Sequence, residues 1–335
     1  MSAEIGQFFN LDFLRRDAAR EHDQREAAML SWQVGAVKIT RVVELQIPIP
    51  YNRANPFLAE ATPEALRAIA WLYPNFVNEQ DQLLLSIHAL LVDAPGLRLV
   101  VDTCIGNDRP RSILRGQPLA TGFLQSMAEV GWTQESVDAV VCTHLHVDHV
   151  GWNTKLEDGA WVPTFPNARY LLGKTEFAHW SAEGDEEQQT ILSDSVQPIL
   201  DAGLAEFVEM DHRISPHLRL TPSTGHTPGH VSVMIESEGE CAVITGDMSH
   251  HPCQMAHPHW SPSFDSDPRA AAATRARLFA DWADKPILVI GTHYAPPTAG
   301  YIKRAGAGFR FDAEAMDAPA AGRWEKTTNL KNNIG

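Results

Sequence analysis

Thr143-His144-Leu145-His146-Val147-Asp148-His149 follows directly on the apolar run Ala139-Val140-Val141-Cys142, and the junction between the two decides the fold. An apolar run that breaks into His-x-His-x-Asp-His reads as a buried strand ending in a ligand-bearing loop. Where the backbone leaves the strand still extended, alternate side chains share a side, so His144 and His146 can bind one metal. Asp148 and His149 follow on a turning backbone and can face a second metal close by. Neutral imidazole and carboxylate suit Zn²⁺, Fe²⁺, Mn²⁺ or Co²⁺, and the lack of a nearby thiolate pair argues against a structural zinc knuckle.

Other strand-like runs end in the same residue types. Leu83 to Val92 pairs with Leu97 to Val101 across the turn Ala94-Pro95-Gly96. The second of these runs ends in Asp102, a candidate outer partner for a ligating histidine. Downstream, Thr224-Gly225-His226-Thr227-Pro228-Gly229-His230 precedes the strand Val231 to Ile235. Cys241 to Thr245 ends in Gly246-Asp247, and Pro286 to Ile290 ends in Gly291-Thr292-His293. Val34 to Ile39 and Val42 to Leu45 alternate as paired strands. Helices are predicted from the cap Thr62-Pro63-Glu64 to about Trp71, and over Gly122 to Val130, Ile191 to Leu200 and Ala270 to Ala283, with a further start at Thr175 to Trp180. The stretch Glu183 to Glu187 reads as a solvated acidic loop, because no histidine accompanies its carboxylates. Trp71, Tyr73 and Phe76 surround Pro74 in an aromatic loop that can line an apolar substrate pocket. Ligands converging at strand ends, with helices interspersed, predict two sheets packed face to face and covered by helices on both outer faces.

Composition bounds the partners. Lys and Arg number 27 against 42 Asp and Glu, a formal charge of -15 over 335 residues. That balance opposes nucleic acid and anionic membrane as partners and favours a soluble protein. The four cysteines lie far apart without a C-x-x-C, as buried free thiols do. Met1 to Glu26 is charged and carries no signal-peptide pattern, and no stretch approaches a transmembrane span, which together predict a cytoplasmic protein. Residues 1–31 read as an N-terminal arm packed on the body or on a second subunit, a hint of a homodimer. Residues 32–300 form the catalytic domain, and 301–335 a C-terminal extension packed on it.

The motifs taken together resemble the metallo-β-lactamase superfamily: Asp102 after a strand, T-H-L-H-V-D-H-V-G at Thr143 to Gly151, T-G-H-T-P-G-H at Thr224 to His230, G-D at Gly246-Asp247 and G-T-H at Gly291 to His293. The resemblance implies an αββα sandwich with a dinuclear site between its sheets. It implies that His144, His146 and His226 bind one metal, that Asp148, His149 and His293 bind the other, and that Asp247 bridges both. Zinc is the first expectation for the two divalent ions, with iron, manganese or cobalt open. Within the superfamily the chain looks closest to the N-acyl homoserine lactonases and the methyl parathion hydrolase-like enzymes. His230 reads as a structural or outer partner. His250, His251, His257 and His259 follow the bridging aspartate, and His250 is the one placed as an outer partner of the site.

The chemistry that follows is hydrolysis of a lactone or related carboxylic ester by a hydroxide bridging two metals, with no serine or cysteine nucleophile. Asp247 and Asp148 are the candidate catalytic carboxylates, Asp247 orienting the hydroxide and relaying its proton to the leaving alkoxide. Two other chemistries share the motif: phosphotriester hydrolysis by the same hydroxide, and a mononuclear iron persulfide dioxygenase. A binding protein without activity would not keep all seven ligand positions filled.

Overall fold

A computed structural model describes residues 30–313. Fifteen strands occur among the described residues, in a seven-stranded sheet, a six-stranded sheet and a small two-stranded one. In chain order they begin with β1 (Ser31–Val34) and β2 (Val37–Ile49), joined by a turn at Gly35-Ala36. Gly35 adopts φ +54, so the predicted strand from Val34 to Ile39 is split by a hairpin turn that favours glycine. Helix α1 (Pro63–Arg67) follows, capped by the Thr62 hydroxyl accepting from Ala65 N at 3.2 Å. It stops short of Trp71, and a single 3₁₀ turn at Ala70–Leu72 completes the segment. Next come β3 (Leu83–Ala94), β4 (Leu97–Val101), α2 (Phe123–Glu129), β5 (Ala139–Val141), the hairpin β6 (Thr154–Glu157) and β7 (Ala160–Pro163), and β8 (Arg169–Gly173). Helices α3 (Lys174–Glu183), α4 (Glu186–Ser195) and α5 (Gln197–Asp201) lead to β9 (Ala205–Val208).

The second half supplies β10 (Leu218–Pro222), β11 (Val231–Ser237) and β12 (Glu240–Ile244), then α6 (Cys253–Ala256) and α7 (Pro268–Trp282). It closes with β13 (Ile287–Ile290), β14 (Ala299–Ala305) and β15 (Gly308–Asp312). The large sheet runs β1-β2-β3-β4-β5-β8-β9 and the second runs β10 to β15 in order. Strands β4, β5, β8 and β9 are parallel, as are β12 and β13; helices fill the crossovers between them except the one from β5 to β8, which carries a 3₁₀ turn at Gly151–Asn153 and the β6–β7 hairpin. The expected boundary at residue 300 falls inside β14, and the second sheet continues to Asp312. Of the expected arm at 1–31, residues 1–29, and of the expected extension at 301–335, residues 314–335, lie outside the described residues.

Alternation along each strand explains the layering. Leu99, Val101, Ala139, Val141 and Leu171 from the large sheet pack with Ala242, Ile244, Leu288 and Ile290 from the second, forming the core between the sheets. The residues between them in sequence (Val100, Val140, Tyr170, Leu172, Val243 and Val289) belong instead to the core shared with Leu278 and Phe279 of α7 and Ile191 of α4. A strand buried on both faces needs a continuous apolar run, which is why these strands read as unbroken Val, Ile and Leu. The result is an αββα sandwich of four layers. Among the described residues no helix is long and apolar enough to cross a membrane.

Candidate metal centre

Register carries the loops to a single place. Parallel pairing of Val101 with Val141 sets Asp102 beside Thr143, whose N–H and hydroxyl donate to its carboxylate at 2.7 and 2.9 Å. Asp102 holds φ +58 and also lies 2.9 Å from His149 Nδ1, so one carboxylate ties the start of the histidine loop to its end. In the second sheet Ile244 pairs with Ile290, which brings Asp247 and His293 equally far beyond the strand ends. The sheets are pinned together at this point: Val231 N donates to Thr143 O at 3.1 Å and Ser86 N donates to His293 O at 3.0 Å.

Seven side chains point their donor atoms at a common centre. His146 Nδ1 lies 3.0 Å from His144 Nε2 and 2.9 Å from His226 Nε2. Asp247 Oδ2 is 3.6 Å from His226 Nε2 and 3.8 Å from His144 Nε2. On the other side Asp247 Oδ2 is 3.2 Å from His149 Nε2, and Asp247 Oδ1 is 3.2 Å from His293 Nε2. Asp148 approaches His149 and His293 at 3.5 Å each. Every predicted ligand is therefore brought in, in two clusters that meet at Asp247.

The outward faces of the rings are occupied. His226 Nδ1 lies 2.8 Å from Asp265 Oδ1, and His293 Nδ1 lies 3.0 Å from Ser86 O. Such contacts place the proton on Nδ1 and turn the Nε2 lone pair inward. Two inward lone pairs 2.9 to 3.0 Å apart repel unless a proton or a cation lies between them. Among the described residues, His149 Nε2 and Asp247 Oδ1 are buried without a hydrogen bond. The three-histidine group, and separately Asp148, His149 and His293, have all donors within 4.8 Å of one another. Tetrahedral coordination by imidazole places neighbouring ligand nitrogens roughly 3.3 Å apart, so the donor set fits divalent cations.

Burial, reinforced by the neighbouring imidazoles, holds His144, His146 and His226 well below the ordinary histidine range. These rings are neutral and available as ligands. Burial also opposes charge on His149 and His293, but the carboxylates led by Asp247 outweigh it and raise both. Asp247 responds in kind: burial disfavours its charge, yet His149, His293 and His250 hold it well below the usual carboxylate range.

Of the outer partners, His230 Nε2 accepts from Asp247 N at 2.8 Å and its Nδ1 meets Ser223 Oγ at 2.8 Å, so it fixes the backbone of the central aspartate. His250 sits closer to the centre than an outer partner would: its Nε2 is 3.3 Å from Asp247 Oδ2, its ring stacks parallel to His293 at 5.7 Å, and neither ring nitrogen has a hydrogen-bond partner. His251 is structural, with Nε2 against Phe76 O and Nδ1 accepting from Cys253 N. His257 stacks on Trp260 at 4.3 Å.

Above the centre opens a cleft walled mainly by apolar side chains. Its wall corrects one expectation. Trp71, Tyr73 and Phe76 do not line it. The Tyr73 hydroxyl is bound to Asp81 at 2.8 Å, and Phe76 is buried edge-on against His251 and Phe311. The wall comes instead from Phe57, Ile113, Trp180, Ile191 and Phe264, with Gln188 and Asp185 as polar groups. The acidic stretch is also no loop: Glu183 ends α3, Asp185 caps α4 by accepting from Gln188 N at 2.9 Å, and Glu186 opens that helix. An Asp followed three residues later by Gln is a helix-start signal that could have revealed this. Phe57 and Phe264 lie in irregular segments that carry no such signal.

Comparison with known proteins agrees with this architecture. The sequence profile of the Metallo-beta-lactamase superfamily matches residues 84–293. An N-acyl homoserine lactonase from Bacillus sp is 26% identical over 166 residues, covering 49% of this chain and 59% of the relative. A second, from Bacillus cereus, matches to the same extent. The chain thus spans less than two thirds of the length of these curated relatives. Among solved structures, the hydrolase AbOPH of the beta lactamase superfamily superposes with a TM-score of 0.70 at 24% identity, over 85% of this chain and 97% of that one. AidC, a dizinc quorum-quenching lactonase solved with an N-hexanoyl-L-homoserine product, gives 0.68 at 23% identity, over 85% and 96%. At these identities the structures share the fold.

Proposed function

The chain belongs to the metallo-β-lactamase superfamily, and on that premise we propose that it is a metal-dependent hydrolase that opens a lactone or cleaves a related carboxylic ester. The observation that carries the reading is the convergence of seven imidazole and carboxylate donors on Asp247 at the base of an apolar cleft. We assign His144, His146 and His226 to one divalent cation, Asp148, His149 and His293 to a second, and Asp247 to both. Zinc suits these nitrogen and oxygen donors, as do iron, manganese and cobalt. Cations held there supply a water of lowered pKa and a Lewis acid for the carbonyl.

The protein's own groups do the rest. Asp247, fixed through its backbone by His230, accepts the proton of the attacking water and passes it to the leaving alkoxide. Asp148, partly buried at the cleft floor, orients the same water. Phe57, Ile191 and Trp180 bury the apolar part of a neutral substrate and exclude bulk water around the carbonyl.

A hydrolysis panel tests the assignment. It pairs acyl homoserine lactones of several chain lengths and simple γ- and δ-lactones with aryl esters, a phosphotriester and a β-lactam. Lactone or ester turnover, abolished by a chelator and restored by zinc, is the expected result. Turnover of the phosphotriester alone would replace the ester reading, and oxygen uptake with a persulfide and no hydrolysis would replace hydrolysis altogether.

A further inference from the structure

Glu176 occupies the first turn of α3 and is 1% exposed, yet among the described residues it pairs with no cationic side chain. Its two oxygens accept four hydrogen bonds. Oε1 takes Leu145 N at 3.2 Å and Trp180 Nε1 at 2.5 Å, and Oε2 takes Thr227 Oγ1 at 2.7 Å and Gly229 N at 2.9 Å. Burial raises the carboxyl above its ordinary range, and the three N–H groups, which can only donate, together with the Thr227 hydroxyl oppose that shift by favouring the ionised form.

The identity of the partners matters more than their number. Leu145 lies between His144 and His146, and Thr227 and Gly229 lie between His226 and His230. One buried carboxylate therefore grips both loops that deliver the three-histidine cluster, one from each sheet. Close packing secures the grip: a Cβ at Gly229 would fall 2.4 Å from Glu176 N, so only glycine lets the second loop approach α3 this closely. The fourth donor, Trp180, turns its ring to the cleft and lies 5.2 Å from the His146 ring. Gln188 of α4 adds a bond from Nε2 to Leu145 O at 2.7 Å on the opposite side of the first loop.

We propose that Glu176 is the positioning residue of the three-histidine half of the centre, holding His144, His146 and His226 at binding distance through the backbone of their two loops. The inference rests on the assignment of those histidines to a cation. Glu176 touches neither substrate nor ion. The other half is held by different groups, Asp102 on His149 and the Ser86 carbonyl on His293, so a loss at Glu176 falls on one ion and spares the other.

The test is E176Q, read by stepwise metal affinity in chelator competition with zinc and by the visible spectrum of the cobalt-loaded protein. A glutamine keeps the shape but offers one acceptor oxygen, so two of the four donors meet an amide N–H instead. The expected result is that one of the two dissociation constants rises roughly 10- to 100-fold, the cost of removing a ligand's supporting partner, while the other stays within about threefold, with a changed cobalt spectrum. Unchanged affinities in E176Q alongside a lower melting temperature would reduce Glu176 to a structural residue and overturn the proposal, as would an equal rise in both constants. If E176Q does not fold, T227V removes one donor while keeping volume, and the same single constant should rise; no change there also overturns it. A wild-type chain that takes up no divalent ion would instead remove the parent assignment, and this proposal with it.

Discussion

The floor and the wall of the cleft are built by different rules. On the floor, most donors stand just beyond a strand end, and strand register fixes their spacing: Asp102 beside Thr143, Asp247 level with His293. On the wall, Ile47, Leu85 and Ile87 come from β2 and β3, but Phe57 and Ile113 come from long connections, Trp180 and Ile191 from helices outside the sheets, and Phe264 from the segment before α7. The floor is set by backbone pairing and held by buried hydrogen bonds, whereas the wall is apolar contact that tolerates exchange of side chains. Chemistry should therefore be sensitive to single atoms on the floor, and selectivity to volume on the wall.

The largest effect expected is at the floor's centre. D247N keeps the shape of Asp247 but removes its charge and its capacity to take a proton, and turnover should fall roughly 10²- to 10⁴-fold. Near-normal turnover in a variant that retains its metal would erase the distinction between floor and wall. A smaller effect is expected on the wall. I191A deletes buried apolar volume facing the cleft, so KM for a long-chain substrate should rise about 10-fold. The kcat should stay close to wild type, and short-chain substrates should be affected less. An equal fall in kcat for all chain lengths would place Ile191 among the floor's supports.

The smallest effect on turnover lies outside both and is read as stability. Burial depresses His251 from 6.5 to about 4, and its neutral ring donates to Phe76 O and accepts from Cys253 N. A depressed histidine binds its proton more weakly folded than unfolded. Its contribution is thus fully present above pH 6.5 and is lost as pH falls toward 4, by about 3 kcal/mol. In metal-free protein the melting temperature should drop between pH 7 and pH 4.5, and less steeply in H251N. Parallel profiles for the two proteins would show that His251 is not responsible.

The same contrast explains what the sequence could disclose. His144, His146, Asp148 and His149 are legible because they follow directly on a three-residue strand; the spacing of His144 and His146 pairs them, and the turn at 147–149 carries Asp148 and His149 to the other cluster. Asp247 and His293 are legible because each closes an apolar run. The three aromatics at Trp71 to Phe76 mislead because their neighbours are invisible in one dimension: Asp81 claims the Tyr73 hydroxyl, and Phe311 of β15 covers Phe76. Asp265 behind His226 and Glu176 behind Leu145 are hidden for the same reason, each meeting a loop distant in the chain. Glu44 shows the effect of local geometry. A bulge between Val43 and Leu45 in β2 accompanies its burial, with its carboxylate accepting from Ile105 N, Gly106 N and Trp152 Nε1, and nothing in the alternation of that strand announces it.

The central claim is that the floor is a two-cation centre, and the metal-to-protein ratio of the purified chain tests it most directly. Elemental analysis should give about two divalent ions per chain, with both lost on prolonged chelation and both regained with zinc. One iron per chain, accompanied by oxygen uptake, or no bound ion at all, would contradict it.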